Sequence, residues 1–243
     1  ILTWVAMCVM ASAPTVSADV LDSTNFQYRY EVDGEYPQYS TPAWTWDGYA
    51  GYQNWSFISD DSNYVTLDTR WEDDPTNGNL SSWNMTGAWE VTNGVGYTVE
   101  TRFRLVSAVI AGSKSGYRFY VQDGSSGVAL RVGNDLIEDV GSSTDLSTDG
   151  NTGVWRTLRI AVSDDHATYD VYRDKQLLAS NQATSAATDD WIYMGDPTGT
   201  ASAHDMEVDI DYVRWDTSGA SAPIPEPGAT VLFVLGTLCF LAR

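Results

Sequence analysis

Apolar side chains recur at every second position through much of this chain, and clusters of glycine, asparagine, aspartate and serine interrupt them at short intervals. In residues 97–105 the alternation is strict. Tyr97, Val99, Phe103 and Leu105 fall on one side, and Glu100, Arg102 and Arg104 on the other. A period of two marks a half-buried strand, because successive strand side chains point to opposite faces. Residues 117–121, 158–162 and 206–212 repeat the pattern, and turn-forming clusters at 123–127, 149–153 and 195–199 separate such segments. Between the termini no window of helical length shows a 3.6-residue period. Many short strands, roughly ten residues apart, predict an all-β antiparallel sandwich or barrel.

Residues 170–178 read as a hairpin that turns at Arg173, Asp174 and Lys175. It follows a long strand at 155–162 and precedes a closing strand that ends Asp211-Tyr212-Val213-Arg214-Trp215. In that order, residues 97–215 resemble the concanavalin A-like, laminin-G-like jelly rolls. The resemblance implies one jelly-roll sandwich over residues 19–218.

Both ends differ from this body. Residues 1–18 are an apolar run followed by small residues, which is the pattern of a signal helix, with cleavage expected after Ala18 or alternatively after Ala13. After a linker at 219–227 that contains Pro225, Glu226 and Pro227, residues 228–243 form an apolar run closed by Arg243. The prolines stop any preceding element, and Pro227 suits the first position of a helix. The apolar stretch makes about 22 Å of helix against a hydrocarbon core of about 30 Å, a marginal span. This order of parts resembles the PEP-CTERM sorting signal of exported Gram-negative proteins. That resemblance implies an exosortase-type processing enzyme as partner, a transient hold in the inner membrane, and release to the cell surface or beyond.

Charge limits the partners. The chain carries 13 Lys and Arg against 33 Asp and Glu, a formal net charge of −20, and each terminal segment is neutral overall. Nucleic acid and anionic membrane surfaces both need a basic footprint, so neither is an expected partner. Both cysteines, Cys8 and Cys239, lie in the terminal segments. A body trimmed at both ends has no disulfide and no thiolate zinc site.

Three sets of residues are candidates for chemistry. Glu207, Asp209 and Asp211 share one face of a predicted strand and are similar to the Glu-x-Asp-x-Glu strand of retaining β-glucanases, where two carboxylates converge on one glycosidic bond. The bland alternative is that they are structural or solvent-facing carboxylates on a closing strand. In some jelly-roll relatives the aspartate of that strand helps hold a structural calcium, which makes Asp211 the implied ligand. Asp145 to Gly150 spaces oxygen groups like a calcium loop, but Arg156 stands where the bidentate glutamate belongs, so a turn is expected. Trp44, Trp46, Trp55 and Trp71 fall in a region rich in Tyr, Asn and Asp, and exposed rings there could stack on sugars. His166 and His204 lack a ligand cluster and read as surface or turn histidines.

The expected molecule is therefore an exported, non-catalytic β-sandwich that binds polysaccharide at the cell surface or in an extracellular matrix. A secreted β-glucan hydrolase or lyase is the alternative from another class, and a purely structural matrix protein is the third.

Overall fold

Residues 97–108, where the alternation is strictest, form a 12-residue strand at the centre of a sheet. A computed structural model describes residues 26–32, 36–48, 57–60, 63–69, 81–108, 116–196 and 206–223. The signal segment, Pro225, Glu226, Pro227, Arg243 and the C-terminal apolar run lie outside the described residues, as do Trp55, Trp71 and His204. Among the described residues no helix is long and apolar enough to cross a membrane.

In chain order the strands are β1 (Tyr28–Glu31), β2 (Thr45–Gly48), β3 (Phe57–Asp60), β4 (Val65–Asp68), β5 (Ser81–Met85), β6 (Tyr97–Ala108), β7 (Tyr117–Asp123) and β8 (Ser126–Gly133). They continue with β9 (Leu136–Asp139), β10 (Thr144–Ser147), β11 (Trp155–Val162), β12 (Thr168–Arg173), β13 (Gln176–Ala183), β14 (Ser185–Ala186), β15 (Asp190–Asp196) and β16 (Met206–Asp216). One short 3-10 turn, Pro37–Tyr39, interrupts them.

The strands form two antiparallel sheets. The first runs β13-β12-β11-β6-β16-β4-β3, with β1 also on β16, and the second runs β10-β9-β8-β7-β15-β5-β2, with β14 on β8. Tyr97, Val99, Phe103 and Leu105 are fully buried from the first sheet, as are Tyr117, Phe119 and Val121 from the second. All seven belong to one apolar cluster between the sheets. An all-β antiparallel sandwich is thus what the period of two builds, consistent with a jelly roll.

Local chemistry sets the turns. The β12–β13 hairpin turns on Asp174 and Lys175, both at positive φ (50° and 67°), which matches the strand twist. Gly116 enters β7 at φ 143°, and a Cβ there would lie 2.4 Å from the Val132 carbonyl oxygen, so only glycine fits. At the β7–β8 turn Asp123 accepts hydrogen bonds from the amides and hydroxyls of Ser125 and Ser126. His166 does sit in a turn, but it is buried rather than on the surface, at 8% exposure. Its Nδ1 lies 2.8 Å from the Asp123 carboxylate and its Nε2 lies 2.9 Å from the Val95 carbonyl, so one ring ties three loops together.

Burial pushes the Asp123 pKa up, but the Ser125 and Ser126 hydrogen bonds outweigh it and hold the group below the ordinary aspartate value. A depressed carboxylate contributes stability that is complete above its unfolded pKa, about 3.9, and is lost as pH falls through the folded value. The expected result is that Asp123→Asn flattens the acid limb of a urea-midpoint titration below about pH 4. An unchanged limb would remove Asp123 from the acid response.

Candidate functional site

The outer face of the first sheet carries the three carboxylates that the sequence singles out. Asp209 is 2% exposed. Its Oδ2 receives Arg104 Nε at 2.8 Å and Nη2 at 2.6 Å, and its Oδ1 receives the Thr66 hydroxyl at 2.6 Å. The hydrogen bond to Asp209 in turn holds the Arg104 guanidinium above its ordinary pKa. Asp211 pairs with Arg102.

The expected i, i+2, i+4 convergence breaks at Asp211, at a change of register. One edge of β16 is shared by two strands, β4 along Glu207 to Ile210 and β1 along Tyr212 to Trp215. The register against β6 slips between Ile210 and Tyr212, which makes Asp211 an extra residue in a bulge. Glu207 and Asp209 remain together, lining an open hollow of about 370 Å³ with Tyr64, Thr66, Arg104, Val106 and Gly153. Asp211 does not line it.

That arrangement suits structure or hydroxyl recognition better than bond cleavage. A glycosidase needs one carboxyl to donate a proton and a second to attack or to activate water. Here Asp209 and Asp211 each face an arginine. The same Asp211–Arg102 pair occupies the proposed calcium ligand, and among the described residues no group of three or more His, Cys, Asp or Glu is placed to hold a metal.

The tryptophans divide. Trp44 is 2% exposed, packed edge-on against Tyr30 and Trp215 with ring centroids 6.2 and 6.0 Å away, so no ring face is open to a sugar. Trp46 is half-buried and packs edge-on against Trp83 at 4.8 Å. Both serve the core: Trp46 packs against the cluster to which Trp44 belongs.

A different aromatic row lies on the outer face of the second sheet. In β15, Ile192 and Met194 point into the core, which sends Trp191 and Tyr193 outward. Register places Tyr193 between Tyr120 of β7 and Asn84 of β5, and sets Trp191 beside Gln122. The Tyr120 and Tyr193 rings stack at 5.3 Å and 25°, and Trp191 leans on Tyr193 at 5.9 Å and 48°. Tyr120 and Trp191 are half-buried, and burial raises the Tyr120 pKa so that its hydroxyl stays protonated. One step along the sheet, Arg118 faces Arg131, and Arg131 pairs with Glu138.

Trp191 Nε1 and Gln122 Oε1 are shut off from water with no hydrogen bond among the described residues. Each such group costs about 1–3 kcal/mol unless something satisfies it. The sequence contains a signal for this row that period-two reading overlooks. Residues 191–194 are apolar or aromatic on both faces, which marks an interior strand covered on its outward side as well: Tyr193 is 3% exposed and Trp191 half-buried.

No family model matches the chain, and no curated protein matches it. Several solved structures share its fold. A protein described as a sialidase superposes with a TM-score of 0.56 at 11% identity, over 80% of this chain and 19% of that one. This chain therefore corresponds to only a small part of the sialidase. A native glycosidic hydrolase gives a TM-score of 0.54 at 11% identity, covering 81% of this chain and 98% of that chain. A cellulose-induced protein, Cip1, gives 0.51 at 11% identity, covering 80% and 100%. At such identities the likeness is one of fold: this chain is an all-β antiparallel sandwich, similar in architecture to proteins described as a sialidase, a glycosidic hydrolase and a cellulose-induced protein.

Proposed function

We propose that this chain is a non-catalytic carbohydrate-binding sandwich that works outside the cell, exported by its N-terminal segment and sorted through its Pro225-Glu226-Pro227 tail. The observation that carries the binding reading is the pair Tyr120 and Trp191, half-buried on the outer face of the second sheet and braced by the buried Tyr193 between them. Flat rings supply apolar area for the faces of sugar rings. The names of the similar structures, two of them glycan-cleaving, agree with a glycan ligand. The arginine pairing of Asp209 and Asp211 favours binding over hydrolysis.

One experiment addresses both parts. The full chain is expressed in a Gram-negative host that carries an exosortase-type enzyme, and the species recovered outside the cells is run in native gels containing laminarin, xyloglucan or alginate. By mass this species is expected to lack the tail, and at least one polysaccharide should retard it. Tyr120→Ala with Trp191→Ala should weaken retardation about tenfold or more, the usual effect of losing anchoring rings. Free migration of the unaltered protein in all three gels would end the binding reading, and an intact tail on the exported species would end the sorting one.

A further inference from the structure

Past β16 the chain turns back over the outer face of its own sheet. Asp216 Oδ1 accepts the Ser218 amide at 2.8 Å, which starts the turn, and residues 217–223 then cross β6 toward β11 and β12. One side chain clasps them. Thr98 points outward from β6 yet is fully buried, because its hydroxyl donates to the Gly219 carbonyl at 2.9 Å and accepts the Ser221 amide at 2.8 Å beneath the crossing segment. Gly96 lets that segment lie close: a Cβ there would stand 3.1 Å from the Ala220 nitrogen and 2.4 Å from the Val162 carbonyl oxygen. Away from the clasp the hold is slight. The Thr217 hydroxyl reaches Gln27 at 3.3 Å, Ser218, Ala220, Ser221 and Ala222 are exposed, and within residues 217–223 only Pro223 is buried. Ala220 and Ala222 form one wall of a hollow of about 220 Å³, opposite Ala161, Ser163, Asp170 and Tyr172, so this strap bridges the sheet rather than packing down on it. Segments with few buried apolar contacts are the ones that open locally while the rest of a domain stays folded.

We propose that residues 217–223 are a peelable strap that gates removal of the C-terminal tail, by setting how far the Pro225-Glu226-Pro227 motif can stand from the folded body. The proposal rests on the sorting reading above. With the strap clasped, two chain steps separate buried Pro223 from Pro225, a reach of about 7 Å. The headgroup layer on each side of a bilayer is about 5–8 Å deep. A clasped body therefore lies against the membrane and covers the motif. With the strap peeled, the body ends at Asp216, and nine steps give a reach of about 30 Å, which leaves room for an enzyme above the bilayer. Charge favours the opening. A body that carries the chain's net charge of −20 is repelled by an anionic leaflet, and this repulsion works against the Thr98 clasp only while the tail remains anchored. Once the tail is cut nothing pulls on the strap, and it closes again.

Two variants move the clasp in opposite directions. Thr98→Val keeps the shape of the side chain and removes both strap bonds, so the open population should rise roughly tenfold. Gly219→Ala has open space for its Cβ and a φ outside the left-handed region, so it should lower the open population about two- to fivefold by restricting the peeled chain. The full chain, solubilised from a host without the processing enzyme, is treated briefly with proteinase K, and cleavage between residues 217 and 223 is timed by mass. When opening and closing are fast relative to cleavage, this rate follows the open population. In the host that carries the exosortase-type enzyme, tail loss is timed by pulse-chase. Both rates should rise with Thr98→Val and fall with Gly219→Ala. Should Thr98→Val lose the β-sheet circular dichroism spectrum, Gly219→Ala decides alone. Equal strap cleavage in the variants and the unaltered protein would overturn the clasp. Altered strap cleavage with equal tail loss would overturn the gate and leave the sorting reading standing, whereas a tail kept by every protein would end the sorting reading and the gate with it.

Discussion

Replacing Glu100 with glutamine is expected to remove about 3–5 kcal/mol of stability, the cost of leaving buried charge uncompensated. Glu100 lies on the outward face of β6, yet it is only 1% exposed. The register lines up Tyr172, Arg159, Glu100, Arg214 and Arg29 across β12, β11, β6, β16 and β1. Arg159 reaches Oε2 through Nε at 2.7 Å and Nη2 at 2.6 Å, and Arg214 reaches Oε1 at 2.8 and 2.6 Å. The Tyr212 hydroxyl donates to Oε1 at 2.8 Å, and burial followed by the Glu100 charge raises the pKa of that hydroxyl. Phe26 covers both guanidinium groups, 5.2 Å from Arg159 and 4.5 Å from Arg214. Without Glu100 two cations remain 2% and 5% exposed with their central anion gone. Total stability of about 5–15 kcal/mol makes that a large fraction. Urea midpoints measure it, and a change under about 1 kcal/mol would show that the cluster is not coupled as described. A triple variant with leucine at Glu100 and methionine at Arg159 and Arg214 should recover most of the loss, because an apolar replacement of a whole buried ion cluster is often neutral or better.

Trp44→Ala should cost a similar amount, about 3–5 kcal/mol, because a large ring leaves a cavity that the core cannot close. Trp44 packs between Tyr30 and Trp215, and Tyr28 stacks on Trp215 at 5.6 Å. Polysaccharide retardation by the fraction that remains folded should not change. Lost binding with unchanged stability would restore Trp44 to the ligand surface.

These two residues show where reading the chain linearly succeeds and where it stops. Glu100 was correctly assigned to the polar side of its strand. Its burial could not be read there, because its partners lie 59, 112 and 114 residues away and meet only through strand order. Trp44 sits in a Trp-, Tyr- and Asp-rich segment that can be read as a binding surface or as core, core being the commoner place for tryptophan in a sandwich. Packing against β1 and β16 decides between them. The carboxylates of β16 follow the same rule: period two puts Glu207 and Asp209 together, and one bulge against β6 sets Asp211 apart, paired with Arg102.

By itself the sequence determined the all-β antiparallel sandwich and, for strands of strict alternation such as β6 and β7, the side that meets the core, because these follow from local side-chain alternation and turn chemistry that act over a few residues. Only the tertiary structure decided which outward residues stand beside one another. Tyr120 meets Tyr193, Arg104 meets Asp209, and Glu100 meets Arg159 and Arg214 because of sheet order and register, which are set by the packing of distant strands and leave no local trace in the chain.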